Sequence, residues 1–575
     1  MKTLLNVLDV SFTRGSLLLF EDISFSINSG DRIGFVGHNG SGKSTLLSLL
    51  AGNNQPDDGE IRMPRGQRVA LVEQFVPEEL IQLTLSEAVL CVMPVEQRPD
   101  NRYQVDKLLQ ELGFSVDQTA LPLNSLSGGQ QNLALLARAI LLKPELLLMD
   151  EPGNHMDVMA LAFLQKFLLS GQTIPFLMIS HDRELLNNCC TRTIFLRDKR
   201  LYTFDLPFDA ATEALSEHDV QNAKTRKAEE KEIRRLQASA RRLALWGKNY
   251  DNEDLARKAK SMQKRAERLK QEQTTVSKGS GLALQVQADA LRAKSLLTIE
   301  DLVIATPDGE QDLLRIEFQH IRPGDRIALL GRNGIGKSTT INRLVSSIGT
   351  YDEKVRFNPN VNHGYYDQLL EQFSGSEGRF DWLRDRSDVA DDTIQQVLLQ
   401  NGIAFAELER SVKTLSGGEC ARLMFMLFQI RKPNFLILDE PTNHIDIQGR
   451  EQLEQQLIDA DTTLLITSHD RRFIERVANR WWWIHDKKLV ELNGLDEFYA
   501  VVEQDVLQEQ APSKSIDKMR NDVKKTTMTE YEKLARIDEL EKLLREDKAR
   551  KKKFQKPDRH RLWEEELASL WKGLN

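Results

Sequence analysis

The pattern Gly-x-x-x-x-Gly-Lys-Ser occurs twice: Gly37, His38, Asn39, Gly40, Ser41, Gly42, Lys43 and Ser44, then Gly331, Arg332, Asn333, Gly334, Ile335, Gly336, Lys337 and Ser338. Thr45 and Thr339 follow. Glycines at this spacing leave backbone N–H groups uncovered at a helix N-terminus, where they can wrap phosphate oxygens. Lys43 and Lys337 then supply point charges to the β- and γ-phosphates, and Ser44 and Ser338 offer hydroxyls to Mg²⁺. Further along, each half has an apolar run ending in two acids, Asp150-Glu151 and Asp439-Glu440, and a Ser-His-Asp triplet carrying His181 or His469. The aspartates are placed to hold magnesium through its water shell, and the glutamates to polarise an attacking water. Neutral imidazoles at His181 and His469 can contact the γ-phosphate. The chemistry expected is ATP hydrolysis at two sites.

These signals, with Ser-Gly-Gly-Gln from Ser127 and Ser-Gly-Gly-Glu from Ser416, recur in one order at a spacing of about 290 residues. At 575 residues the chain exceeds a single core. The repeat predicts two large domains, 1–210 and 291–502, with a linker at 211–290 and an extension at 503–575. Arg32 to Val36 reads as a buried strand entering the first glycine loop, and the leucines after Ser44 as the helix leaving it. Leu146 to Met149 and Phe176 to Ile179 read as buried strands that deliver Asp150, Glu151 and His181 at their carboxyl ends. Runs apolar on both faces predict an α/β fold with a parallel sheet covered by helices.

The formal net charge is −8, yet between Ala223 and Lys270 there are sixteen Lys or Arg against seven Asp or Glu. Such asymmetry points to a polyanionic partner. From about 211 to 273 the only helix breaker is Gly247, so two helices and a turn are expected. Roughly 30 residues in each arm would reach about 45 Å. A loop with Ser277, Gly279 and Gly281 returns to the second unit. The extension has a helical pattern at Leu534, Ile537, Leu540 and Leu543 and a basic block, Lys548 to Lys556, before Pro557. Four cysteines without zinc spacing fit a reducing, cytoplasmic setting. The longest apolar run, Leu133 to Met149, is broken by Arg138, Lys143 and Glu145, so no membrane span is expected. No secretory signal pattern is expected either.

With these residues in view, Leu126-Ser127-Gly128-Gly129-Gln130 and Leu415-Ser416-Gly417-Gly418-Glu419 resemble the signature of the ATP-binding-cassette ATPases. The resemblance implies tandem ABC-type nucleotide-binding domains in which each signature completes the other cassette's ATP site. Lys43, Gln74, Glu151 and His181 would then work with Ser416, and Lys337, Gln368, Glu440 and His469 with Ser127. Gln74 and Gln368 would join Ser44, Asp150, Ser338 and Asp439 around Mg²⁺.

Paired cassettes, a basic linker and Pro441-Thr442-Asn443-His444-Ile445-Asp446 resemble the ABC-F group. That resemblance implies binding of ribosomes near the tRNA exit site, with the linker directed at the peptidyl-transferase centre, as a translation factor or in antibiotic protection. Arg241, Arg242, Lys248, Arg257, Lys258 and Lys260 could follow phosphates of rRNA and P-site tRNA, while Trp246 and Tyr250 stack on bases. A transporter's ATP-binding subunit and a DNA-associated ATPase gripping duplex through the C-terminal tail are the alternatives.

Three departures predict unequal sites. Gly153 stands where the second half has Thr442, and Leu133 where it has Arg422. Adenine stacking is limited to Phe12 or Arg14 in the first half, while Thr306-Pro307 offers nothing in the second. About 50 residues separate the glutamine from the signature in each half, too few for a further long arm.

Overall fold

The computed structural model describes residues 2–154, 156–170, 174–249, 253–271, 293–306, 308–309, 311–368, 370–443, 445–460 and 462–509. Each half is built around a sheet whose central strands are buried on both faces. In the first half the order is Val69–Val72, Leu146–Asp150, Phe176–Ile179, Arg32–Gly37, Arg192–Arg197 and Arg200–Phe204. The first five are parallel and the last is antiparallel to its neighbour. Leu146–Asp150 is buried throughout, as the unbroken apolar run predicts.

The all-parallel expectation is incomplete. Thr3–Arg14, Leu17–Asn28 and Asp58–Arg62 form a separate antiparallel sheet. Its alternation is hard to read because the register shifts between Val7 and Val10, where Asp9 takes φ 49°. This sheet packs Val7, Phe20 and Ile27 against Phe35, Leu46 and Leu148, giving the glycine-loop helix a rigid bed. In the second half the corresponding hairpin, Leu297–Ala305 and Asp312–Ile321, joins the main sheet through Arg315 beside Lys488, making nine strands in one sheet.

A second core layer lies under each signature helix, Gly128–Leu141 and Gly417–Arg431, whose buried faces meet the sheet and the small helices inserted before them. The chain is therefore α/β, with two like halves on one polypeptide.

Between them, Phe208–Asn249 and Glu253–Gln271 form a helical pair. Gly247 does not break the first helix, which runs through it. A single glycine costs only about 1 kcal/mol in a helix, which the long continuous ladder absorbs. The first arm is accordingly longer than the sequence suggested: 42 residues, about 63 Å. Its root is anchored, because Phe208, Ala211 and Leu215 are buried in the first half's core. Farther out, Ile233, Leu236 and Ala240 are buried on one arm and Ala259 and Ala266 on the other. Their spacing of three, four and seven is that of a coiled-coil seam.

Tyr250, the loop at 277–281, Pro307, His155, His444 and the basic tail from 510 onward lie outside the described residues.

Candidate active site

Each glycine loop leaves the carboxyl end of a central strand and turns directly into a helix, Lys43–Leu50 or Lys337–Ser346. Gly42 and Gly336 cap those helices at φ 97° and 106°, where a side chain is strained. A Cβ on Gly42 would also press on Leu19 at 3.1 Å. The Lys43 ammonium donates to the carbonyls of Gly37 at 2.7 Å and His38 at 3.1 Å. Lys337 does the same to Gly331 at 2.8 Å and Arg332 at 3.1 Å. Burial lowers both lysine pKa values, while Glu151 or Glu440 pulls in the opposite direction.

The acids follow from strand geometry. Asp150 and Asp439 end buried strands, and burial raises both carboxyls against the lowering effect of hydroxyls. Ser44 bonds Asp150. Ser338 and Thr467 bond Asp439. The next residues, Glu151 and Glu440, take φ 50° and 52°, a left-handed conformation that costs of order 1–3 kcal/mol outside glycine. That turn aims each carboxylate back over the loop.

Burial pushes both glutamates up to about 7, against the pull of Lys43 on one and Lys337 on the other. The backbone N–H of His181 donates to Glu151 Oε2 at 3.1 Å, and that of His469 to Glu440 Oε2 at 3.3 Å. The other oxygen, Oε1 in each case, is buried and takes no hydrogen bond from the protein. A water donating to that oxygen would be polarised for attack.

His181 Nε2 lies 3.0 Å from Asn39 Oδ1 and 3.3 Å from Glu151 Oε1. His469 Nε2 lies 3.0 Å from Asn333 Oδ1 and 3.4 Å from Glu440 Oε1. Burial and the adjacent lysine hold both imidazoles neutral, lowering His469 to about 3 and His181 well below its usual value. With its proton on Nε2, each imidazole donates to the asparagine Oδ1 and leaves the glutamate Oε1 open.

The two halves share their clefts. The first, about 890 Å³, is lined by Lys43, Ser44, Thr45, Gln74, Asp150, Glu151 and His181, with Ser416, Gly417, Gly418 and Arg422 from the other half. The second, about 470 Å³, gathers Lys337, Ser338, Thr339, Gln368, Asp439, Glu440 and His469 with Ser127 and Gly128. His38, Asn39, Gly40 and Gly42 line the first, and Asn333, Gly334 and Gly336 the second. Gly37, Ser41, Gly331, Arg332, Ile335 and Gly129 are not among the lining residues. Arg332 instead reaches Asp505 at 2.8 Å.

Each signature serine caps its helix in a reciprocal box with Gln130 or Glu419, and the first residues of each helix line the cleft. The hairpin residues Arg241, Arg242, Trp246, Lys248, Arg257, Lys258 and Lys260 are exposed and lie in neither cleft.

The asymmetry has a structural form. Arg422 projects into the first cleft, whereas Leu133 is buried in core. Thr442 bonds Ser468 at 3.0 Å, an interaction Gly153 cannot make. Arg14 and Leu17 line the first cleft, while Phe12 stacks on Phe20 with ring centroids 6.2 Å apart and is not among its lining residues.

Several residues went unassigned at the sequence level. Asp157 and Asp446 each cap a helix with Oδ1 and reach the opposite glycine loop with Oδ2. Asp157 accepts from Asn333 N–H at 3.1 Å. Asp446 accepts from Asn39 N–H at 3.4 Å and lies 3.3 Å from His38 Nδ1. Burial would raise the Asp446 carboxyl, but the bonds from His38 and Gly449 hold it far below the usual range. Their position just after the acid-proline turn was the available signal.

The ABC transporter family description matches residues 20–154 and 315–443. The chain is 30% identical over 530 residues to "Probable ATP-binding protein YheS" of Haemophilus influenzae, covering 85% of this chain and 81% of that protein. It is 29% identical over 534 residues to "Probable ATP-binding protein YbiT" of Escherichia coli O157:H7, covering 85% and 98%. Among solved structures it resembles the archaeal ribosome recycling factor aABCE1 in complex with the ribosomal stalk protein aP1. There the TM-score is 0.58 at 17% identity, over 86% of this chain and 92% of that one, a likeness of fold. Twin glycine loops, crossed signatures and these relatives together make the chain a member of the ATP-binding-cassette ATPases, of the ABC-F type with two cassettes on one polypeptide.

Proposed function

We propose that the two cassettes close on two ATP molecules, hydrolyse them, and use the closure to press the basic hairpin into ribosomal RNA and tRNA. The carrying observation is that each cleft is walled by one half's glycine loop and the other half's signature helix. Nucleotide bound there bridges the halves, and cleavage weakens the bridge. In each cleft the loop N–H groups and lysine hold the phosphates, the signature helix presents its N-terminus from across, and the buried glutamate orients water. Ser44 with Asp150, and Ser338 with Asp439, form the hydroxyl-carboxylate oxygen set that suits Mg²⁺, with Gln74 and Gln368 nearby. The ion would neutralise phosphate charge when bound.

Ribosome action rests on the hairpin: its Lys and Arg residues are exposed, its root is fixed in the first cassette, and it extends far enough to reach a distant RNA target. A similar fold, at 19% identity and TM-score 0.58, occurs in a model of ribosome-bound archaeal Pelota and ABCE1. The test is ribosome co-sedimentation of the Glu151→Gln/Glu440→Gln double variant. With ATP it should travel with ribosomes, and without nucleotide it should remain near the top of the gradient. Sedimentation indifferent to ATP, or none at all, defeats the ribosome reading.

A further inference from the structure

Arg450 sits between the two clefts and lines both of them. It is buried, and its Nε donates to the carbonyl of Ile445 at 3.0 Å. One terminal nitrogen, Nη1, serves both sites. It donates to the backbone carbonyl of His181 at 3.0 Å and to Asp470 Oδ2 at 3.2 Å. His181 also donates its backbone N–H to Glu151, and His469, the neighbour of Asp470, donates its own to Glu440. A single guanidinium thus links the supports of the two glutamates.

The link is one-sided. Asp157 and Asp446 cap equivalent helices, and the fourth residue after each cap is Leu161 in the first half and Arg450 in the second. Leu161 carries no charge, and among the described residues no matching cation joins Asp182 to the carbonyl of His469. We propose that Arg450 is a positioning residue that couples the two ATP sites, transmitting closure at one to the glutamate of the other.

The charges around it are consistent with that role. Asp470, Asp446, Asp182, Glu454 and Arg183 surround this junction, while Lys43, Asp150 and Lys337 face the glutamates. Arg450 lowers the pKa of both Glu151 and Glu440.

The inference rests on Glu151 and Glu440 being the hydrolytic carboxylates, so the experiment separates the two claims. Equilibrium ATP binding is measured in the Glu151→Gln/Glu440→Gln chain with Arg450 intact, with Arg450→Leu, which copies the Leu161 of the mirror site, and with Arg450→Lys. With Arg450 the two sites should fill interdependently, the first ATP changing affinity for the second by on the order of 5-fold or more. With Leu both sites should still bind, but independently, and Lys should fall between them. Interdependence that survives in Arg450→Leu, or independent filling with Arg450 intact, overturns the coupling role. If Arg450→Leu unfolds, Arg450→Lys decides: an interdependence unchanged from that with Arg450 overturns it. A double glutamine variant that still hydrolyses ATP at the parent rate would instead refute the assignment of the glutamates.

Discussion

The two glutamates proposed to orient water show how such a group is made at the expense of stability. Each is buried, takes a left-handed backbone angle and has its carboxyl raised to about 7. A raised carboxyl pKa means that ionisation opposes folding. The cost is absent below the ordinary range near 4.5 and grows as pH rises through about 7. Over that interval it reaches about 3 kcal/mol per site at most. Glu151→Gln and Glu440→Gln should therefore each raise the melting temperature at pH 8 and change it little at pH 5, as scanning calorimetry would register. An equal gain at both pH values would mean that ionisation is not its source. The histidines show the complementary arrangement, since burial beside a lysine keeps them neutral and able to share Nε2 with Asn39 or Asn333.

At the scale of elements, the signature helices carry the division of labour between halves. Ser127 and Ser416 have two tasks: each caps its own helix, and each faces the cleft whose lysine belongs to the other half. Ser416→Ala should cost about 1 kcal/mol of stability through the lost cap. It should also slow turnover more severely in a Glu440→Gln background, where only the Lys43 site hydrolyses, than in a Glu151→Gln background. Steady-state ATPase assays of the two double variants check this, and equal loss in both would contradict the crossed arrangement. The hairpin was legible as charged helix because no proline interrupts it. The break between the arms falls a few residues after Gly247, between Asn249 and Glu253, since a glycine is tolerated inside a helix.

For the whole molecule, the halves are joined by an apolar patch and an ion-pair cluster beside it. Met159 and Phe163 of the first half pack with Leu495, Phe498, Tyr499 and Val502 of the second. Close to it, Arg183 pairs with the fully buried Glu454, which also accepts from Arg476 at 2.7 Å. Arg472 clasps Asp209 through two bonds of 2.6 and 2.7 Å, tying the second half to the root of the hairpin. Removing one partner of a buried pair leaves a charge stranded, at a cost of about 3–5 kcal/mol. Arg476 still faces Glu454, so Arg183→Met should cost toward the lower end of that range. Denaturant unfolding measures the loss, and a change below about 1 kcal/mol would show that Arg476 alone satisfies Glu454.

The sequence by itself determined the duplication, the α/β class and the chemical groups, because glycine loops, strand-end acids and capped signatures are local patterns whose spacing implies their structure. Gln74 and Gln368, weak as single residues, are placed in the clefts by the short strands before them. The crossed pairing of signatures and glycine loops came from resemblance to a family, whereas the remaining contacts across the halves were decided only by the tertiary structure. Asp157 with Asn333, Asp446 with His38, Arg183 with Glu454 and Arg450 with His181 lie far apart along the chain. Their partnership depends on how two folded bodies dock, which no local pattern of residue types encodes. The first half's antiparallel sheet stayed hidden for a local reason: register shifts along Thr3–Arg14 break the alternation that would mark it.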